Sequence, residues 1–299
     1  MEKKKSVKNV AICFSGKVKH LDLCFPYIKK NLLNHLGTYD IFCCAEDDKD
    51  LEKLKLLKPL KIEKVKSFDV DRLIKPEIKS IDKQNYKTLI FPESFRFNIR
   101  NIYQQLYKIN KSFQLLEDHM KKENVSYNYF IRIRFDMLPI NTIDPRKFKF
   151  KQGEIVVPKI INLKIKDQIN DMFCITKDFE SFKDYCFLYK NFRQTVQEKV
   201  SIKPSFFQGI YFLLEKFYRS FFIYFLKTIN KKQIKFLRQI LGVILLLPNL
   251  FYEDFKERKR CNLERVLFYY LISKNKIIKR KPMDFVIVRA FDDGLLIFG

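Results

Sequence analysis

The first 45 residues constrain the fold most. An apolar run, Asn9-Val-Ala-Ile-Cys-Phe14, stops at Ser15-Gly16, and it reads as a buried parallel strand followed by a turn. Cys24 to Leu36 follows, with Ile28, Leu32, Leu33 and Leu36 at helical spacing and Gly37 just beyond, where a helix C-terminus favours glycine. Tyr39-Asp-Ile-Phe-Cys-Cys-Ala45 is a second buried strand, and it runs into the acidic cluster Glu46-Asp47-Asp48. Strand, helix and strand at this spacing make a βαβ unit, and so an α/β fold. Seven glycines and ten prolines are also few for an all-β chain dense in turns.

Further along, the periods keep switching between strand and helix. Residues 50–90 are Lys-rich and offer one alternating segment, Lys61-Ile-Glu-Lys-Val65. From Ser94 to Lys122, Ile99, Ile102, Tyr103, Leu106, Ile109, Phe113 and Leu116 form a wide apolar helical stripe. Tyr129–Asp136, Gly153–Pro158 and Asp171–Thr176 read as strands, and Phe179–Phe192 as a helix. After residue 255, Asn262–Ser273 reads as a helix, with strands at Ile277–Lys281 and Phe285–Arg289. The expected organisation is a core over residues 1–204, an insertion over 205–255, and a segment over 256–299 that completes the core.

That insertion differs in kind. Phe206, Phe207, Ile210, Tyr211, Leu214, Phe217, Phe221 and Phe225 form a broad aromatic face, opposite Glu215, Lys216, Arg219 and Lys227. A second run, Ile240 to Leu247, is too short to span a bilayer and stops at Pro248. Charges in the middle of the first run are costly in hydrocarbon. An amphipathic segment lying in the membrane surface fits both runs best. A helical hairpin packed on the domain or on a second subunit is the alternative.

The chain carries 59 Lys+Arg against 34 Asp+Glu, a formal charge of +25 over 299 residues. Such a field attracts nucleic acid, anionic lipid or a phosphorylated substrate. Lys, Ile, Asn and Phe are all abundant, a bias that an AT-rich genome also produces, so charge alone selects none of these. The seven cysteines are odd in number, form no CxxC and sit mostly in apolar runs, as small core hydrophobes do. The three histidines have no Cys or His at zinc-ligand spacing. The opening apolar run is too short for a signal-peptide core, and a reducing cytoplasm is expected.

Arg132-Ile-Arg-Phe-Asp136 is the segment richest in chemistry. In a strand, Arg132, Arg134 and Asp136 share one face while Ile131, Ile133 and Phe135 share the other. Ionic groups in such a row are costly to bury without partners. Arginine can bind phosphate oxygens with two parallel hydrogen bonds. An Asp at a strand's C-terminal end can hold a divalent metal that also binds diphosphate. A salt-bridge ladder within the sheet is the alternative.

The order of these segments resembles a family of glycosyltransferases from polysaccharide and lipopolysaccharide biosynthesis loci, near the WavE-type proteins. The resemblance is carried by Ala11-Ile-Cys-Phe-Ser-Gly16, Asp40-Ile-Phe42, Ile131-Arg-Ile-Arg-Phe-Asp136, Asn170-Asp171-Met-Phe and Glu264-Arg-Val-Leu-Phe-Tyr-Tyr-Leu271. It covers residues 8–50, 93–190 and 258–290. It departs from the family at Lys17 and Lys19, where relatives often carry Arg, and at Ala45–Asp48, which stands in place of a polar or Trp-containing stretch.

The resemblance implies a GT-A-like fold: a Rossmann-like mixed sheet flanked by helices. It implies a nucleotide-sugar donor bound by Ser15, Gly16, Lys17, Arg132, Arg134 and Asp136, with Asp136 as ligand of a divalent metal (Mn2+ or Mg2+). Asp171 and Glu264 are the carboxylates expected to orient or deprotonate the acceptor hydroxyl. Glu264 also fits as a charge in the first turn of a helix. The expected acceptor is a cell-surface glycan or a polyprenyl-linked one, met peripherally at an anionic membrane surface on the cytoplasmic side. The acidic cluster after Ala45 is expected to be a solvated loop rather than part of the donor site. Arg96 and Arg100, four apart on one helix, could reach phosphate or form a surface pair. Two other classes stay open: a basic nucleic-acid-binding protein, which no recognisable module supports, and an inactive scaffold of the same shape.

Overall fold

The apolar run that opens the chain becomes β1 (Ser6–Gly16), the helix α1 (Leu21–Asn31), and the second run β2 (Tyr39–Glu46). The structure, a computed structural model, describes residues 6–85, 99–159, 169, 171–195, 263–291 and 294–298. The strands β1 and β2 pair in parallel, as a βαβ crossover requires. Helix α1 stops five residues short of the expected end, and a single 3-10 turn follows over Leu33–His35. The cause is tertiary. The Asn31 side-chain amide donates to the carbonyls of Pro139 (2.7 Å) and Ile140 (2.9 Å), and its own carbonyl accepts from Ile143 N–H. Gly37 closes the connection at φ +71°, where a Cβ would meet the Asn9 side chain at 2.7 Å.

A 3-10 helix over Leu51–Leu57 leads to β3 (Lys61–Val65), and α2 (Ser67–Asn85) starts directly afterwards. The long apolar stripe is α3 (Ile99–Glu123), and β4 (Val125–Arg134) follows it. Phe135-Asp136 turn the chain into a short β5 (Met137–Pro139). Then come β6 (Glu154–Pro158), β7 (Phe173–Thr176), α4 (Phe179–Cys186) and α5 (Leu188–Thr195). The C-terminal described elements are α6 (Leu263–Ser273), β8 (Ile277–Lys281), β9 (Phe285–Phe291) and β10 (Gly294–Phe298).

Seven strands form one sheet in the order β3-β2-β1-β4-β7-β6-β8, and β10-β9-β5 form a second. In the large sheet, β7 runs antiparallel to both neighbours, and the remaining pairs are parallel. Side chains alternate between two cores. Ala11, Cys13, Phe130 and Cys174 face α3 to α6, while Ile12, Phe14, Ile131 and Ile133 face α1. This is the mixed α/β, Rossmann-like sheet flanked by helices that a GT-A-like fold requires. The helix expected over Phe179–Phe192 is instead two helices that meet at Phe187, whose N–H is shared between the Lys183 and Asp184 carbonyls. The insertion expected over 205–255 lies outside the described residues. Among the described residues, no helix is long and apolar enough to cross a membrane.

Candidate active site

The sheet order grows from β1 outward to β2 and β3 on one side and jumps to β4 on the other. The gap between β1 and β4 is therefore a topological switch point, where open α/β sheets bind ligands beyond the strands' C-terminal ends. The register decides which residues arrive there. Ser15 pairs with Arg134, Gly16 with Ala45, and Ile133 with Phe173. The ends of β1, β2 and β4 and the start of antiparallel β7 thus share one edge. That edge gathers Ser15, Gly16, Lys17, Glu46, Arg134, Asp136 and Asp171. Gly16 sits at φ +133°, a backbone conformation that only glycine adopts without strain.

The row of charges on β4 splits into two parts. Asp136 does not end the strand as expected but lies in the turn after it, two residues beyond Arg134. Arg134 Nε donates to Asp136 Oδ1 at 2.8 Å and Nη2 to Oδ2 at 2.6 Å, a two-pronged pair whose side chains stay 24% and 17% exposed. Arg132 does not extend this into a ladder. It is fully buried, between Cys13 and Cys174 in register, and Nε, Nη1 and Nη2 all lack a hydrogen-bond partner. Burial pushes the neighbouring Cys174 thiol up to about 12, with the Arg132 charge acting in the opposite direction. On the same face, the buried Ser15 hydroxyl also lacks a partner. A buried guanidinium and a buried hydroxyl without acceptors are costly to keep, and such costs concentrate at functional sites.

Asp171 is nearly buried just before β7, where the Gln105 side-chain amide donates to its Oδ2 and the Tyr185 hydroxyl donates to its backbone carbonyl at 3.0 Å. The acidic cluster after Ala45 corrects an expectation. Asp47 is exposed, but Glu46 is the last residue of β2 and is buried against Lys108 Nζ at 2.6 Å, with Lys17 Nζ at 3.3 Å. Burial works against the Glu46 charge. The Lys108 and Ser67 hydrogen bonds and the Lys108 and Lys17 charges outweigh it, so the carboxyl is held below its ordinary value. Sequence reasoning missed this residue, although its position directly after the seven strand residues Tyr39–Ala45 was a signal that it ends the strand and does not begin a loop.

His20 was missed as well. It stands at the N-cap position of α1, inside the field of Asp136. Burial and Lys19 lower its pKa against the opposing pull of Asp136 and Asp22. Glu264 falls in the first turn of α6, and its side chain lies outside the described residues, as do Arg96 and Asn170. Arg100 is a surface residue, and its Nε donates to Asp71 Oδ1 at 2.7 Å.

The metal fit is narrow. Among the described residues, no three His, Cys, Asp or Glu side chains converge to hold a metal. Asp136 fits as one hard oxygen ligand of an Mn2+ or Mg2+ that takes the rest from diphosphate and water, provided Arg134 shares the carboxylate.

Two solved structures are among those similar to this chain. Mouse xyloside xylosyltransferase 1, apo form, has 10% identity and a TM-score of 0.38 over 92% of this chain and 85% of that one. The apo structure of WbbM, a bifunctional glycosyltransferase, has 12% identity and a TM-score of 0.33 over 64% of this chain and 35% of that one. No curated protein matches the chain. The WavE-like resemblance stays a likeness in the order of segments. A family model covers residues 5–182, well over half the sequence, and by that match the chain belongs to the family described as a domain of unknown function, DUF7796.

Proposed function

We propose that this chain is a glycosyltransferase that moves a sugar from a nucleotide-sugar donor to a glycan or polyprenyl-linked acceptor. The observation that carries the reading is the switch-point edge. There, a buried Ser15 hydroxyl and a buried Arg132 guanidinium, both without partners, lie on the face that bears the Arg134–Asp136 pair. Buried donors without partners on one sheet face near the strand ends suit an incoming diphosphate.

In this reading, Arg134, Lys17 and the backbone around Gly16 take the diphosphate oxygens, and Ser15 donates to the nucleotide. Arg132 supplies positive charge from beneath the edge. Asp136 would hold the divalent metal, which when bound adds charge that favours departure of the nucleoside diphosphate. Asp171, fixed through Gln105 and Tyr185, orients the acceptor hydroxyl or accepts its proton, and Glu264 is the second carboxylate for that role. The site of action is the cytoplasmic side of a membrane, with the protein peripheral to it.

Asp136→Asn keeps the size of the side chain and removes its charge. We expect sugar transfer to fall at least about 100-fold, in line with the loss of one transition-state electrostatic group, with the circular dichroism spectrum unchanged. Transfer at the wild-type rate would overturn the role of Asp136. One observation favours a second reading, an inactive scaffold of the same shape: Arg134 already neutralises Asp136. The two differ in turnover of a bound donor, which a scaffold lacks.

A further inference from the structure

Residues 55–75 hold seven exposed cations: Lys55, Lys58, Lys61, Lys64, Lys66, Arg72 and Lys75. One acid in that stretch is exposed, Asp69. Five exposed large apolar side chains lie among them: Leu56, Leu60, Ile62, Phe68 and Leu73, with Phe68 69% and Leu73 58% accessible. Single exposed apolar residues are ordinary. A concentration of them marks a surface that is meant to be covered.

The fold explains why they gather. Strand β3 ends the seven-stranded order and pairs with β2 alone among the described residues. Before it, the 3-10 helix buries Leu54 and Leu57, leaving Lys55 and Leu56 outward. After it, α2 sends Val70 and Ile74 into the core and leaves Phe68, Arg72 and Leu73 outward. The Arg72 guanidinium stands 5.7 Å from the Phe68 ring centre. The 3-10 helix packs on the α1 side of the sheet and α2 on the α3 side, so the two flank β3 and present the same mixture around the end of the sheet.

Lysines on an edge strand keep sheets from pairing with one another, which accounts for Lys61 and Lys64. It does not account for two bare apolar side chains on a helix beside Arg72 and Lys75. Nucleic acid would use the cations and, at most, the phenyl ring, leaving Leu56, Leu60, Ile62 and Leu73 without a role. A bilayer surface uses both kinds of group: apolar side chains enter the acyl boundary while Lys and Arg meet anionic headgroups. We propose that residues 55–75 form a docking face for an anionic lipid surface. The face borders the candidate site, because Val65 at the end of β3 pairs with Glu46. It goes beyond the donor reading and does not depend on it.

The test uses the full chain in co-sedimentation with phosphatidylcholine vesicles, with and without phosphatidylglycerol. The wild type is expected to pellet with the anionic vesicles and not with the neutral ones. Each lysine near the surface is worth about fivefold in partitioning, so Lys61→Glu/Lys64→Glu/Lys66→Glu should lose at least about 100-fold. Phe68→Ser/Leu73→Ser, read separately, should lose at least about 10-fold by withdrawing the apolar anchors. Circular dichroism confirms that each variant is folded. Anionic-vesicle binding at the wild-type level in both variants would overturn the proposal. So would a charge variant that loses a single-stranded oligonucleotide while the apolar variant keeps full vesicle binding. Donor-dependent thermal shift on the same samples separates the questions, since its absence counts against the glycosyltransferase reading alone.

Discussion

Taking away the Glu46 carboxylate leaves Lys108 4% exposed with its charge uncompensated. Breaking one side of a buried pair costs roughly 3–5 kcal/mol, so Glu46→Gln should lower unfolding stability by about 3 kcal/mol at neutral pH. The sign of the pH effect follows from the depressed carboxyl. The folded protein holds Glu46 ionised below its ordinary 4.5, so the contribution is complete above that pH. It drains away as pH falls through the lower folded value. In Glu46→Gln that acid-induced loss should shrink, which urea unfolding from pH 6 to pH 3 measures. Arg132 makes the opposite prediction. A buried cation without a partner opposes folding, so Arg132→Met should leave stability unchanged or raise it by about 1–3 kcal/mol while weakening donor binding. A large loss of stability would instead make Arg132 structural. The shared face of Arg132 and Arg134 was legible from alternation along β4, with Asp136 in the turn just beyond it. Glu46 and His20 were not, because their importance comes from Lys108 on α3 and from the turn after β4, neither adjacent in sequence.

Helix ends carry the next level of the account. Asp178 caps α4, accepting from the N–H groups of Glu180 (3.3 Å) and Ser181 (3.1 Å). Asp178→Ala should cost about 1 kcal/mol, measured by denaturant unfolding, without touching donor binding. Gly16→Ala places a side chain at φ +133°, and the strain of roughly 1–3 kcal/mol falls at the candidate site itself, so it should weaken donor binding as well. Most strands were legible, β3 and β8 with their exact bounds at Lys61–Val65 and Ile277–Lys281, because their apolar patterns are decided by the sheet they enter. The ends of α1 and β4 were not, since Asn31 is drawn off by β5 and the chain must turn at Phe135-Asp136 to build the second sheet. Helix α2 escaped because its Lys-rich surface dilutes the stripe that Val70 and Ile74 contribute.

Across the whole molecule, charge is unevenly used. The +25 balance by itself chose no partner, whereas the fold brings the 55–75 cations together with apolar side chains at one end of the sheet and the switch-point edge beside them. The α/β class followed from the first 45 residues, but the identity of the crevice needed the strand order, which places β4 and antiparallel β7 next to β1. The central claim is that this edge binds a nucleotide-sugar. The most direct measurement is thermal unfolding of the wild type and Asp136→Asn against a panel of UDP- and GDP-sugars, with and without Mn2+. A donor at 100 times its Kd stabilises by about 2.7 kcal/mol, so at least one should raise Tm by about 5 °C in the wild type, and Asp136→Asn should lose most of that rise. A folded wild type that no nucleotide-sugar stabilises, or a variant that responds as the wild type does, would contradict the account.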